Sequence, residues 1–225
     1  MKGTVIKISG STFYWDSVDK NLPPLLTLFK NLAEEGERLV LVAGGGETAR
    51  RYIMAGRKLG IDESMLDDLG LRAARLNAEL LAGGLGDLAY PTIPENMDRA
   101  AEAYATGKIV VVGGFHPGHS TNAVAALTAE RVHANLFVNA TDVDGVYTAD
   151  PDKDGNARKL NRVTPPQLRK MFGEGQMKAG TYELLDLLAV NIIERSKIKT
   201  VILKCEPSAI NKAIKGEPVG TLVVV

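Results

Sequence analysis

The chain has 225 residues, of which 45% are hydrophobic, and its 27 Lys and Arg residues balance 27 Asp and Glu residues. A chain of this length buries roughly 70% of its unfolded surface, so its core needs no disulfide or structural metal. Neutrality argues against a protein that mainly coats nucleic acid or an acidic membrane, because such binding needs a basic surface.

The single cysteine excludes an intrachain disulfide and is typical of a reducing compartment. We expect no signal peptide, because the first residues lack a hydrophobic region followed by a small-residue cleavage site. Apolar runs stay well short of the ~18 residues that a membrane span needs. We therefore expect a soluble, cytoplasmic protein without membrane or nucleic-acid partners.

Short apolar segments alternate with helical patterns along the chain, which is typical of α/β proteins with a mainly parallel sheet. Several are apolar without alternation, as expected of strands covered on both faces. The polar, turn-forming segment 148–161 predicts an exposed hairpin or excursion. The predicted strands are 4–8, 39–43, 108–112, 136–140, 200–203 and 221–225.

Helical patterns lie between these strands. The first has apolar residues at i, i+3, i+4 and i+7, and is predicted to start at Pro23-Pro24 and to stop at Gly36. The alanine-rich segment 121–132 predicts a helix packed closely on the sheet. Segment 183–196 is apolar nearly all round, which predicts a helix that is central or lies at a subunit contact.

The 23 glycines, about 10% of the chain against a typical ~7%, divide into two groups. Those that follow helical patterns are expected to cap helices, and they are Gly36, Gly60, Gly107 and Gly216. The others cluster at the carboxyl ends of predicted strands, and they are Gly10, Gly44, Gly45, Gly46, Gly113, Gly114 and Gly145. Open α/β sheets bind ligands at that edge, and glycine lets backbone N–H groups approach an anion there. This second group predicts a phosphate-binding edge.

The glycine-rich segment after the second predicted strand matches one nucleotide-binding fingerprint in part and another not at all. Gly44, Gly46 and Ala49 fit G-x-G-x-x-[G/A] directly after a strand, as in dinucleotide sites. That motif also requires a second strand ending in an acidic residue about twenty positions on, and here the chain continues as helix. The P-loop pattern G-x-x-x-x-G-K-[ST] is absent from the sequence. A phosphate-binding protein of this length therefore uses another arrangement.

Charged residues beside this edge suit phosphoryl chemistry, which depends on positioning and cationic neutralisation. Lys7 interrupts a strand expected in the sheet interior, where a lysine needs an anionic partner. Arg50 and Arg51 lie one turn into the helix after the triple glycine, and one of them is expected to bind the anion. Asp142 and Asp144 follow the fourth strand, where a simple Asx turn is the alternative interpretation.

The segment His116-Pro117-Gly118-His119 raises the question of a metal site. Only His133 could add a third imidazole, and no cysteine lies nearby to complete a tetrahedral set, so zinc is disfavoured. A Pro-Gly turn that shapes a ligand loop is the favoured interpretation, with Ser120 and Thr121 beginning the next helix.

An ordered set of motifs runs through the chain: Lys7-Ile8-Ser9-Gly10-Ser11, then Gly44-Gly45-Gly46 with Ala49-Arg50, then residues 113–121, then Asp142 to Tyr147 with Asp150-Pro151, then residues 178–183. In this order the motifs resemble the archaeal type of UMP kinases in the amino acid kinase superfamily, over essentially the whole chain. The resemblance implies one domain, residues 1–225, with the three-layer αβα sandwich and mainly parallel central sheet of the amino acid kinase fold. The phosphate-acceptor half would cover about 1–135 and the ATP-binding half about 136–225.

The resemblance also implies an activity and a site. ATP would phosphorylate UMP to give UDP and ADP, a step of pyrimidine nucleotide biosynthesis, in a homohexamer. Mg²⁺ would be held mainly by the ATP phosphates, with no protein ligand predicted. Lys7 would stabilise the transferred phosphoryl group and Asp144 would orient that lysine. The ATP contacts would be Lys7, Gly10, Ser11, Gly46, Arg50, Thr141, Asp142, Tyr147 and Asp150. The UMP contacts would be Gly45, Asp67, Phe115, His116, Pro117, Gly118, His119, Ser120 and Thr121, with Asp67 directed to the ribose hydroxyls.

One residue departs from the pattern, because Asp142 stands where relatives carry Asn. A second carboxylate near the triphosphate would repel it unless Mg²⁺ or a lysine compensates.

Three alternatives stay open at this point. The first is another kinase of the superfamily that acts on a carboxylate or an isoprenoid phosphate, and loop 115–121 favours the nucleotide over these acceptors. The second is a non-catalytic nucleotide-binding or storage protein, and the third is a dinucleotide oxidoreductase. Lys7 favours phosphoryl transfer, because neither a storage protein nor a dinucleotide oxidoreductase requires a lysine at that position.

Overall fold

A seven-stranded sheet forms the centre of the protein. The structure is a computed structural model that describes residues 3–151, 153–173 and 184–225. The strands are β1 (Gly3–Ile8), β2 (Arg38–Ala43), β3 (Val110–Val112), β4 (Leu136–Thr141), β5 (Val146–Tyr147), β6 (Lys159–Leu160), β7 (Arg162–Val163), β8 (Thr200–Lys204) and β9 (Thr221–Val223). The sheet order is β3-β2-β1-β4-β8-β9-β7, and β5 pairs with β6 in a separate hairpin. The first five strands in this order are mutually parallel, and β9 runs antiparallel to β8.

Helices cover both faces of this sheet. They are α1 (Val18–Glu34), α2 (Gly46–Lys58), α3 (Glu63–Leu85), α4 (Met97–Ala105), α5 (Thr121–Arg131), α6 (Pro165–Gly173), α7 (Leu187–Ser196) and α8 (Pro207–Ile214), with short 3₁₀ helices at Gly10–Phe13 and Gly86–Leu88. The core on one face joins sheet residues to α4, α5, α6 and α7, and includes Val5, Val42, Val124, Phe137 and Ile192. The core on the other face joins α1, α3 and α8 to the sheet, and includes Ile6, Phe29, Leu41, Leu81 and Ile210. The predicted three-layer αβα sandwich is confirmed.

All six predicted strands are present, with ends that differ by a few residues. The third begins at Val110 rather than at 108, and the last ends at Val223 rather than at 225. The hairpin predicted for 148–161 is confirmed by the antiparallel pairing of Tyr147 with Lys159. The four predicted helix-capping glycines all have positive φ, between 76° and 90°, as a left-handed cap requires.

Two predicted helix starts are wrong. Helix α1 begins at Val18, and its first turn is closed by hydrogen bonds from Lys20 and Asn21 to the Ser17 carbonyl, before the prolines are reached. The prolines therefore lie inside the helix. Helix α7 begins at Leu187 because Asp186 caps it, and the earlier predicted start at 183 lies outside the described residues. Leu187 and Leu188 are 47% and 40% exposed, so this helix is not buried all round.

Among the described residues, no helix is both long and apolar enough to cross a membrane.

Candidate active site

A cavity of about 940 Å³ opens at the carboxyl ends of β1, β2 and β4. This is the edge at which the sequence predicts phosphate binding. Most of the predicted site residues line the cavity: Lys7, Gly10, Ser11, Gly45, Gly46, Arg50, Asp67, His116, Pro117, Gly118, His119, Ser120, Thr121, Thr141 and Asp142. Phe115, Asp144, Tyr147 and Asp150 do not belong to its lining. The fold thus brings most residues of both predicted sets to one cavity and leaves the hairpin residues outside it.

Two glycines let the loops after β1 and β2 touch each other. A Cβ on Gly10 would lie 2.7 Å from Gly46 Cα, and one on Gly46 would lie 2.5 Å from the Gly10 carbonyl oxygen. Gly46 also has φ +61°, which a side chain disfavours. From α3, Asn77 Nδ2 donates a hydrogen bond of 2.7 Å to the Gly44 carbonyl, which fixes the start of the loop. The backbone of Gly46 therefore opens α2 directly at the cavity.

Two strand-end glycines have a different role from the predicted one. A Cβ on Gly113 would lie 2.9 Å from the Arg75 backbone, and one on Gly145 would lie 2.6 Å from Thr221 Oγ1. Neither residue lines the cavity. These two glycines allow close packing against α3 and β9. The prediction failed for them because the sequence pattern is the same for a strand end that packs and for one that faces a ligand.

Lys7 lies on an interior strand, as its pattern predicts. Strand β1 sits between β2 and β4, and its register places Lys7 beside Val42 and Asn139. The side chain is half-buried and lines the cavity. An ammonium group thus stands at the edge where the glycine loops begin.

The two adjacent arginines of α2 have different surroundings. Arg50 lines the cavity, and its guanidinium donates to the Tyr14 hydroxyl and lies 5.5 Å from the ring centroid. Arg51 is 74% exposed and pairs with Glu47 on its own helix.

Sequence reasoning missed Arg57, which also lines the cavity. Its guanidinium makes two hydrogen bonds of 2.8 Å with the Glu63 carboxylate, and these raise the pKa of Arg57 and lower the pKa of Glu63. The signal was available, because Arg57 lies seven residues after Arg50 and so shares its face of the helix.

Asp142 ties the end of β4 to the loop after β1. Ser9 Oγ donates to Asp142 Oδ1 over 2.6 Å, and Ser11 Oγ donates to the same oxygen. Ser9 is buried, with 4% of its surface exposed. The Asp142 carboxylate is therefore already engaged by two hydroxyl donors.

Asp144 belongs to a second cluster, at the hairpin. Tyr147 Oη donates to Asp144 Oδ1 over 2.6 Å, and Lys159 Nζ donates to Oδ2 over 2.9 Å. Partial burial by itself raises the pKa of the Asp144 carboxyl, but these hydrogen bonds and the lysine charge outweigh it and lower the pKa below its ordinary value. The hydrogen bond to Asp144 raises the pKa of Tyr147. Lys159 was not predicted, although the hairpin register pairs it with Tyr147.

The loop before α5 is held by carboxylates from other helices. Gly118 N donates to Asp67 Oδ2 over 2.9 Å, so the loop is tied to α3. Ser120 caps α5 by accepting from Ala123 N at 3.0 Å, and its hydroxyl donates to Asp186. Sequence reasoning missed Asp186, which lies 66 residues away along the chain.

The two histidines of this loop lie edge to face, with ring centroids 6.2 Å apart. In the described ranges, no group of three or more His, Cys, Asp or Glu residues could hold a metal ion.

Comparisons with known proteins agree with this geometry. Residues 2–204 match the model of the amino acid kinase family. The chain is 47% identical over 221 residues to a uridylate kinase of Metallosphaera sedula and 42% identical to one of Methanobrevibacter smithii, with at least 97% of each chain covered. The crystal structure of uridylate kinase from Archaeoglobus fulgidus matches with a TM-score of 0.88 and 40% identity over the full length of both chains. A UMP kinase structure from Bacillus anthracis, 21% identical, shares the fold with a TM-score of 0.82.

Proposed function

The chain belongs to the amino acid kinase family, and from this we propose that it is a uridylate kinase that transfers the γ-phosphoryl group of ATP to UMP. The products are UDP and ADP, in pyrimidine nucleotide synthesis. The observation that carries the proposal is that one cavity contains most residues of both proposed nucleotide-binding sets, with Lys7 on the strand between β2 and β4.

The reaction needs charge neutralisation more than proton transfer. The second pKa of a phosphate monoester is about 6, so UMP arrives mostly as a dianion whose oxygen is already a nucleophile. That oxygen forms a bond to the γ-phosphorus of ATP while the bond to the bridging oxygen breaks and ADP leaves. No general base is required, and neither His116 nor His119 has to carry a proton.

The chain's own groups overcome the repulsion between the two anions. Lys7 places an ammonium group at the transferred phosphoryl group, where negative charge is spread over three oxygens. The N-terminus of α2 at Gly46 offers backbone N–H groups and the positive end of the helix dipole, and Arg50 adds a guanidinium one turn on. Asp144 is proposed to act on Lys7 electrostatically, from the cluster it forms with Tyr147 and Lys159.

The nucleotide contacts remain proposals for each residue. ATP would meet the ends of β1 and β4 and the hairpin, through Gly10, Ser11, Gly46, Arg50, Thr141, Asp142, Tyr147 and Asp150. UMP would meet Gly45, Asp67 and the loop 115–121. Because Tyr147 and Asp150 lie outside the cavity lining, ATP would have to extend beyond the cavity toward the hairpin. This division assigns the acceptor to residues of about 1–135, whereas the ATP contacts come from both halves of the chain.

Mg²⁺ fits the oxygen-rich end of the cavity. Mg²⁺ is usually held by one or two carboxylates together with substrate phosphates and water. In this cavity the ATP phosphates would hold most of the ion's coordination, and Ser11 and Thr141 supply hydroxyl oxygens nearby. The Asp142 carboxylate beside them is already engaged by Ser9 and Ser11. When bound with ATP, the ion supplies positive charge that offsets the phosphates and Asp142.

We also propose that the enzyme assembles as a homohexamer in the cytoplasm, where its single cysteine stays reduced. Helices α2 and α3 both expose large apolar side chains, which supports self-association. They are Tyr52, Met54, Met65, Leu76 and Leu80, each at least 50% exposed. Sedimentation of the purified protein tests the stoichiometry.

A coupled assay of ADP release tests the activity directly. UMP, CMP, dUMP, isopentenyl phosphate and acetylglutamate are offered at equal concentrations with ATP and Mg²⁺. We expect the largest kcat/KM with UMP. Turnover with UMP no greater than with the other acceptors would overturn the substrate assignment, and preference for acetylglutamate or the isoprenoid phosphate would identify another kinase of the family.

A further inference from the structure

Two helix caps near the cavity are bonded to each other. Ser120 Oγ caps α5 by accepting from Ala123 N at 3.0 Å, while Asp186 Oδ1 caps α7 by accepting from Ala189 N at 3.0 Å. The Ser120 hydroxyl donates to the other carboxylate oxygen, Asp186 Oδ2. One hydroxyl and one carboxylate therefore fix two helix N-termini relative to each other.

The short segment 184–186, named here the brace, is anchored at its other end to the central sheet. Asn139 Nδ2 donates to the Leu184 carbonyl. Asn139 is completely buried on β4, and its partner in the register of β1 is Lys7. Leu184 and Leu185 are each only 3% exposed, so the brace is packed in place. It connects the strand beside Lys7 to the loop that precedes α5.

The loop itself has little burial to hold it. Residues 116–120 are all exposed, although they line the cavity. Their ties to other parts of the described chain are the Asp67 contact to Gly118 N and the Asp186 contact to Ser120. A hydrogen bond to a carboxylate is roughly twice as strong as one between neutral groups. The position of this loop relative to Lys7 therefore depends on two carboxylates.

We propose that Asp186 is a positioning residue for the acceptor nucleotide. Through Ser120 it holds the N-terminus of α5 and the loop 116–120 at a fixed distance from Lys7, and the brace transmits this position from β4. The inference rests on the proposed function, because it names the acceptor loop as the element that is positioned. Asp186 does not line the cavity, so it acts through Ser120 rather than by touching the substrate.

Asp186→Asn separates positioning from capping. The amide oxygen can still accept from Ala189 N, while the charge-assisted bond from the Ser120 hydroxyl is replaced by a weaker neutral bond in which the amide nitrogen donates to Ser120 Oγ. Misplacement of a reacting group by about 1 Å costs on the order of 100-fold in rate, so we expect kcat/KM for UMP to fall by roughly 10- to 100-fold. The KM for ATP and the melting temperature should stay close to those of the wild type.

Asn96→Ala is the matched control for a lost cap. Asn96 caps α4 by accepting from Arg99 N at 3.0 Å, and it does not line the cavity. Asp186→Ala removes both the cap and the link to Ser120. We expect Asp186→Ala and Asn96→Ala to lower the melting temperature similarly, while only Asp186→Ala weakens UMP use.

A double-mutant cycle tests whether Asp186 acts through Ser120. Ser120→Ala, Asp186→Asn and the double variant are compared by kcat/KM for UMP and by calorimetric UMP binding without ATP. We expect the double variant to be no worse than the poorer single variant. Additive losses, equal effects on UMP and ATP, or wild-type UMP kinetics in Asp186→Asn would each overturn the inference. Absence of UMP turnover and binding in the wild type would instead overturn the proposed function, and the inference with it.

Discussion

At the strand end of the cavity, Ser9 and Ser11 donate to Asp142 across the ends of adjacent strands. At the loop end, an exposed loop is held by Asp67 of α3 and by Asp186, which precedes α7. Register in the parallel sheet positions the first region, and two hydrogen bonds to the Asp142 carboxylate complete it. The second region lacks such a frame, so side chains distant in sequence hold it. We infer that the proposed phosphoryl-transfer residues are positioned by the sheet, whereas the proposed acceptor loop is positioned by a few tertiary hydrogen bonds.

The largest expected effect comes from a substitution at the strand end of the cavity. Lys7→Ala removes the ammonium group from the transferred phosphoryl group, so kcat should fall by about 1,000-fold or more. Nucleotide binding, measured by calorimetry, should persist because the glycine loops are intact. Lys20→Ala, an exposed lysine of α1, serves as the control and should keep wild-type kcat. A Lys7→Ala enzyme with near-normal kcat would remove Lys7 from its proposed role.

A smaller effect is expected at the loop end from Asp67→Asn. The amide oxygen can still accept from Gly118 N, but the charged acceptor proposed for the ribose hydroxyls is lost. Loss of one charge-assisted hydrogen bond is worth roughly tenfold in affinity, so the KM for UMP should rise by about tenfold. The KM for ATP should not change. Asp68→Asn, at the exposed neighbouring position, is the control, and an equal rise in both KM values would contradict the assignment.

Asp142→Asn tests whether the carboxylate at the strand end repels the ATP phosphates. The amide oxygen still accepts from Ser9 and Ser11, while one negative charge beside the triphosphate disappears. A unit charge a few ångströms away in a solvated site is worth about 1 kcal/mol, so the KM for ATP should fall by roughly three- to fivefold. Asp154→Asn in the hairpin turn controls for net charge. If the KM for ATP or the Mg²⁺ requirement rises instead, the carboxylate supports the metal more than it repels the phosphates.

The smallest expected effect concerns the pH dependence of stability at the hairpin. The pKa of Asp144 is lower in the folded protein than its ordinary value of 3.8, so its stabilising contribution is present above about pH 4 and is lost as the pH falls through the lowered pKa. Asp144→Asn should therefore flatten the fall in unfolding free energy between about pH 5 and pH 3. Urea unfolding at several pH values measures this, and an unchanged slope would show that the cluster with Tyr147 and Lys159 does not stabilise the carboxylate.

Local pattern predicts the strand end well because its determinants are local. Apolar runs followed by glycine mark strand ends, and parallel strands bring those ends together wherever they occur in the chain. Lys7 stands out in the sequence because a lysine in an interior strand conflicts with its surroundings. The exception is the pair Gly113 and Gly145, where the same pattern serves packing against Arg75 and Thr221.

The loop end is less predictable because its determinants are tertiary. Asp186 has the same local pattern as any aspartate that caps a helix, and only the fold reveals its contact with Ser120. Arg57 could have been predicted only by following the face of α2 that carries Arg50 for two further turns. The predicted start of α1 at the prolines was wrong for a different reason. Hydrogen bonds from Lys20 and Asn21 to the Ser17 carbonyl begin the helix before the prolines.

The most direct test of the central claim is to follow the labelled γ-phosphoryl group of ATP in the presence of UMP and Mg²⁺, with the wild type and with Lys7→Ala. We expect the wild type to transfer the label into UDP, and Lys7→Ala to transfer it at least about 1,000-fold more slowly while still binding both nucleotides. Label released as inorganic phosphate, no labelled UDP from the wild type, or equal transfer by the variant would contradict it.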